Sequence, residues 1–308
     1  MFANLPAAAA LLLLPLATAS PVAPRAATDV PVSVTVDTHP EVATGTAYNW
    51  AEGWKADFPI HPSCNATLRN QLEAGLQETI QLAAHARDHL LRWGSESELA
   101  RKYFGNASVA GPIGWYSRIV SSDKGAMLFR CDDPDRNCAT QEAWAGHWRG
   151  DNATQETVIC DLSYEIRRPL SAVCNLGYTV AESRLNTYWA TDLLHRVLHV
   201  PLITDAQVEH YAETYADVLD LAKSDPAKSV LDSDALQYFA IDAWAYDIAA
   251  PGVGCPGKVP EAEAETTATA TATETAAATT AAAAGAATST DADHEHCHTH
   301  ADGSLHCQ

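Results

Sequence analysis

The chain has 308 residues, with 19 Lys plus Arg against 39 Asp plus Glu, a formal net charge of −20 and a pI near 4.8. So few cations exclude nucleic acid and anionic lipid as partners, because their phosphates are met by Lys and Arg; the acidic surface suits solubility and attracts cations. Beyond the N-terminus no apolar run is long enough to span a bilayer, so no membrane span is expected.

Residues 7–19 (AAAALLLLPLATA) form an apolar run too short for a membrane helix and end in an Ala-x-Ala pattern at Ala17 and Ala19. This is the form of a cleaved secretory signal over 1–19, although its first residues lack Lys and Arg. Residues 20–45, rich in Pro, Val and Thr, read as an extended lead-in with a short strand at VSVTV (32–36). One globular domain is expected over 46–256. N-glycosylation sequons begin at Asn65, Asn106 and Asn152, and the chain has eight cysteines. Both features fit an oxidising, extracellular compartment in which Cys64, Cys131, Cys138, Cys160, Cys174 and Cys255 form disulfides, their pairing left open. No hydrophobic C-terminal anchor signal is present, so a secreted, soluble protein is expected, with association at the cell surface left open.

Within the domain, Ala66 to Trp93 carries Leu68, Leu72, Leu76, Ile80, Ala83 and Leu90 on one face, which predicts a long amphipathic helix ending at Gly94. It contains a His-x-x-x-His pair, His85 and His89, with no acidic or Cys partner evident, so surface histidines are the first expectation there. Residues 116–120 and 126–131 flank Ser-Ser-Asp-Lys-Gly and predict a β-hairpin. The acidic turn from Cys131 to Cys138 is short enough for a disulfide to close. GHWRG (146–150) precedes a strand at 156–160. Helices are expected over 181–200, over 205–223 with Asp205 as N-cap, and over 232–248. The domain closes at Cys255. Residues 257–293 form an Ala/Thr/Glu-rich linker expected to be disordered, followed by a His/Cys-rich tail over 294–308.

The chemistry centres on HRVLH, His195 to His199. Two histidines four apart on a helix share a face and can converge on one cation, which is the metal half of the HExxH zincin pattern. Its catalytic half is replaced, because Arg196 stands where a zinc peptidase carries its glutamate base and cannot accept a proton from metal-bound water. A third ligand is needed. Glu209, His210 and Asp234 are the downstream candidates, with His210 favoured and Asp234 the alternative. In the tail, His294, His296, His298, His300 and His306 interleave with Cys297 and Cys307, a density that marks metal binding. In an oxidising compartment the two tail cysteines are expected to pair with each other, leaving the histidines as ligands.

HRVLH followed by VEHYAETYADV, the segments RCDDPDRNC, GHWRG and DIAAPGVGC, and the terminal CHTHADGSLHC together resemble the fungal zincophore and pH-regulated antigen family, which includes a major mould allergen. That family is similar in turn to deuterolysin-type (aspzincin) zinc metallopeptidases. The resemblance implies a mainly helical α+β, zincin-like domain with a small antiparallel sheet. It also implies a secreted protein that scavenges extracellular zinc and returns it to a cell-surface zinc transporter, some members also binding host proteins. Two other readings stand beside it: an active secreted zinc metallopeptidase, and a host-protein-binding surface protein in which zinc is structural.

Overall fold

The computed structural model describes residues 48–141 and 143–257, with two short strands at 297–299 and 305–307. The signal, the VSVTV strand and the linker lie outside the described residues. The domain is mainly helical, with a small mixed sheet.

Helix α1, Ala66–Trp93, is its axis. Asn65 caps its start by accepting a hydrogen bond from Leu68 N at 3.0 Å, and Gly94, at φ 53°, ends it. Leu72, Leu76, Leu82, Ala83, Ala86 and Leu90 are at most 2% exposed, each fully buried leucine stabilising by about 1.5–3 kcal/mol. Gly75 lies on this face because a Cβ there would sit 3.0 Å from both Leu193 Cδ1 and Trp189 Cβ of a crossing helix.

Helix α2 (Glu98–Phe104) is capped by Ser97, whose Oγ accepts from Ala100 N. Helix α3 (Ala110–Ser121) replaces the first arm of the predicted hairpin. Its buried residues, Pro112, Tyr116 and Ile119, recur at helical spacing, a period the short window 116–120 concealed. Strand β1 (Leu128–Arg130) is followed by helix α4 (Asn137–Thr140), strand β2 (Gly146–Trp148) and strand β3 (Glu156–Ile159). The order is β1-β3-β2, with β1 parallel and β2 antiparallel to β3, so the sheet is mixed where an antiparallel one was expected. The physical reason is the crossover through α4 and β2, which brings the chain back alongside β1 in the same direction.

Disulfides join Cys64 to Cys131, Cys138 to Cys160 and Cys174 to Cys255. The 131–138 turn is therefore not closed on itself; Arg130 grips Asp132 at 2.7 Å and Arg149 grips Asp135 at 2.7 Å instead. Helix α5 (Asp161–Ile166) leads into irregular chain up to helix α6 (Trp189–Leu198). Helix α6 is half the length expected because Trp189 N donates to Arg168 O at 2.9 Å and Tyr188 bridges Arg168, holding the preceding segment extended. Helix α7 (Pro201–Thr204) stops at Asp205 and Ala206, both at φ 53°. Asp205 is thus a left-handed C-cap, not the predicted N-cap. Helix α8 (Tyr215–Ser224) starts at Thr214, which accepts from Asp217 N. Helix α9 (Pro226–Ser229) precedes helix α10 (Ser233–Trp244), capped by Asp232 and continued by a π turn, Ala245–Ala249. Helix α1 packs against α3, α6 and α10. In the tail, strands β4 (Cys297–Thr299) and β5 (Leu305–Cys307) pair antiparallel, with Cys297 opposite Cys307 and His298 opposite His306.

Candidate metal centre

All ten residues of α6 are buried, His195 among them, while His199 just beyond its end is half-buried. His195 lies within the helix and His199 is its C-cap, one turn on. His210 comes from the loop between α7 and α8, which the left-handed pair Asp205 and Ala206 turns back toward α6. That loop is pinned by Glu209 N donating to Leu231 O and Ser233 N donating to Glu209 O, each at 2.9 Å. Asp232 adds a second clamp: Oδ1 accepts from Tyr211 N at 2.7 Å and Ala212 N at 3.0 Å, and Oδ2 accepts from Ala235 N at 2.8 Å. One carboxylate thereby fixes both the His210 loop and the start of α10. Burial pushes its pKa up to about 6 even though these N–H groups pull it down.

One ligand-type atom of each of His195, His199 and His210 lies within 4.8 Å of the others. His199 and His210 meet Nε2 to Nε2 at 2.8 Å. Behind the rings, Gln237 Nε2 donates to Thr191 O at 2.8 Å and to Asn186 Oδ1, so its Oε1 faces His195 Nδ1, at 3.2 Å. His195 must therefore donate from Nδ1, which directs the Nε2 lone pair toward the cluster. Ser233 Oγ does the same for His210 Nδ1 at 3.1 Å while donating to Asp234 Oδ1. Asp234 Oδ1 lies 3.4 Å from Nδ1 of His195 and 3.9 Å from Nδ1 of His210. It thus lies on the Nδ1 side of both rings. Glu209 is exposed, and it is its backbone that holds the loop. Three imidazoles, two of them with tautomers set by Gln237 and Ser233, suit a borderline divalent cation such as zinc, with a further position for water.

Arg196 is 6% exposed and reaches back to Asp192, with Nε 3.1 Å and Nη2 2.9 Å from the carboxylate. Its guanidinium rests on Gly146 of β2, where an added Cβ would lie 2.9 Å from Cζ and would collide with the Val158 carbonyl oxygen. Beside it, burial and then the Arg196 charge push the His147 pKa down. Cys138, His147 and Cys160 also cluster, but the two sulfurs are joined in a disulfide. An open cleft of about 420 Å³ leads to His210 past Glu213, Asp217 and Asp220, so a cation approaches along carboxylates.

A further cluster, His85, His89 and Asp247, joins the second His pair to an acid that sequence reasoning missed. Its signal was absent because Asp247 is 162 residues from His85 in the chain. Also missed were Gln237 and Ser233, whose roles depend on which ring they face. The tail histidines His294, His296 and His300 lie outside the described residues, as do the side chains of His298 and His306.

The sequence model of a family described as "HRXXH: Putative peptidase family" matches residues 10–258. The chain is 54% identical over 246 residues to "Major allergen Asp f 2" of Aspergillus fumigatus, covering 80% of this chain and 77% of that protein. It is 48% identical over 230 residues to "pH-regulated antigen PRA1" of Candida albicans, covering 74% and 75%. To "Protein ZPS1" of Saccharomyces cerevisiae it is 37% identical over 211 residues, covering 67% and 83%. Among solved structures, a zinc peptidase from Grifola frondosa superposes with a TM-score of 0.42 at 16% identity, covering 57% of this chain and 96% of that one.

Proposed function

Because this chain belongs to the HRXXH family and carries Arg196 where a zinc peptidase would carry its base, we propose that it is a secreted zinc-binding protein that takes up extracellular zinc as cargo and is encountered as a surface antigen. The single observation behind this reading is the convergence of His195, His199 and His210 beside residue 196, a permanently protonated arginine that cannot act as a base and is paired with Asp192. The relatives named as antigens or allergens favour an exposed or released protein. A carrier must bind without reacting and must also let go. A three-histidine set lacks thiolates and charged ligands, reached through an acidic cleft, and fits that requirement better than a sealed structural site. The tail histidines are proposed as a second, separate zinc-binding group, and the partners as zinc, a cell-surface zinc transporter and host proteins.

Isothermal titration of zinc into the full chain, a chain lacking 294–308 and His199→Ala tests this. The reading expects each change to remove a distinct part of the binding. Equal stoichiometry and affinity in all three would dismiss it.

A further inference from the structure

His85 and His89 stand one turn apart on α1, and both address the same oxygen of Asp247. Oδ2 lies 3.0 Å from His85 Nε2 and 2.7 Å from His89 Nδ1. Asp247 reaches them from the π turn that continues α10, where the widened backbone carries the chain past the regular helix. Trp244 packs edge-on to His85 and Phe239 edge-on to His89, giving the cluster an apolar wall. The side chains of His85, His89 and Asp247 are 19%, 7% and 28% exposed, so the cluster is open to solvent on the carboxylate side.

We infer that His85 Nε2, His89 Nδ1 and the Asp247 carboxylate form a further site for a divalent transition cation of the zinc type, separate from the three-histidine centre and from the tail. Two imidazoles and one carboxylate are a recurring zinc donor set, and the nitrogen ligands disfavour magnesium and calcium. Gln237, which backs His195, and Asp247 are ten residues apart along α10 and its extension, on the order of 15 Å at the helical rise, so one ion cannot serve both clusters.

The second observation is Ser97. Its Oγ lies 2.7 Å from His89 Nε2 and accepts from Ala100 N at 3.1 Å. Without a cation, a carboxylate only accepts, so the ring nitrogens facing Asp247 carry the protons. Cation binding moves those protons to the far nitrogens: His89 passes from Nδ1–H to Nε2–H, and His85 from Nε2–H to Nδ1–H. At His89 the Ser97 hydroxyl serves both states, donating to a bare Nε2 or accepting from Nε2–H through its remaining lone pair. Ser97 is thus an outer-shell partner already in place.

The test is zinc titration of the full chain followed by imidazole ¹⁵N spectra, with ring signals assigned from His85→Gln and His89→Gln. Wild type is expected to show both rings responding to zinc, with His89 converting to the Nε2–H tautomer and Nδ1 bound. Asp247→Asn, which keeps the shape and removes the charge, should weaken zinc at these rings by at least about tenfold. His199→Ala should leave their response intact, so failure of the three-histidine centre would be seen separately. If the His85 and His89 signals stay fixed while the rest of the chain saturates with zinc, the triad is a hydrogen-bonded structural element and the inference is overturned.

Discussion

Arg196 and Asp192 form a buried ion pair one helical turn apart, and Arg167 closes on the same carboxylate from outside the helix at 2.8 Å. Asp192, Arg196 and Arg167 are 1%, 6% and 9% exposed. Burial pushes the Arg167 pKa down, Asp192 opposes this and Arg196 adds to it. Asp192 therefore ties α6 to the 167–168 segment through Arg167, while the arginine of the HRxxH pattern pairs the same carboxylate and rests on β2, a structural task distinct from ligating a metal.

Replacing Arg196→Glu sets two carboxylates against each other in a buried site. The expected cost is about 3–5 kcal/mol, the range for breaking a buried pair, read as a fall in the urea midpoint. Arg196→Met should cost less, because Arg167 still pairs Asp192. Neither variant should cleave casein with zinc. A stable Arg196→Glu protein with zinc-dependent cleavage that vanishes on chelation would restore the peptidase reading.

At the three-histidine centre, His199→Ala should weaken zinc by about 100-fold or more. Asp234→Asn should weaken it by about 10–100-fold, the range for an outer-shell partner, and keep the stoichiometry. Calorimetry separates the two. Loss of one full equivalent in Asp234→Asn would make Asp234 a ligand after all.

Cys297 and Cys307 face each other in the β4–β5 ladder, a register in which Cα atoms approach to roughly 4.5–5.5 Å and a disulfide fits. Secreted material should therefore yield a 297–307 cross-linked peptide under non-reducing mass mapping. Free thiols protected only by zinc would instead make the sulfurs ligands. Deleting 294–308 should leave the domain folded, with its far-UV spectrum retained.

Acid should loosen the sheet end of the domain. Arg149 holds the Asp135 pKa below the usual value; at Glu156 burial acts upward, but Arg130 and Arg149 prevail and lower it. A lowered carboxylate binds fewer protons folded than unfolded, so its stabilisation is complete above the unfolded value of about 4 and is lost as pH falls through the folded one. Urea midpoints should drop below about pH 4, less steeply in Arg149→Met. Zinc affinity should fail earlier, as pH passes below about 6.5, because imidazole binds only when neutral. Coincident losses would contradict two separate titrations.

Periodicity was sufficient for α1, whose limits match the apolar stripe, and for placing His195 and His199 on one face. His210 was within reach of sequence because it follows closely in the chain. The structure turns it inward through two left-handed residues whose identities, Asp205 and Ala206, signal this weakly. Asp234 was seen, but whether it touches an ion or a ring nitrogen depends on side-chain direction, which spacing does not encode. Tyr116 to Val120 was mistaken for a strand because five residues satisfy either period. Asp247 had no local signal, since its meaning arises only when the two ends of the domain meet.

The close approach at Gly146 limits which pairs of residues can stand at 146 and 196. The Val158 carbonyl alone excludes a Cβ there, whatever stands at position 196, so the sheet demands glycine independently of the arginine that rests on it. The space that receives the guanidinium is thus set by the sheet and not by the arginine. Relatives with a shorter residue at 196 should still carry glycine at the equivalent of 146, and none should pair arginine with a larger residue there.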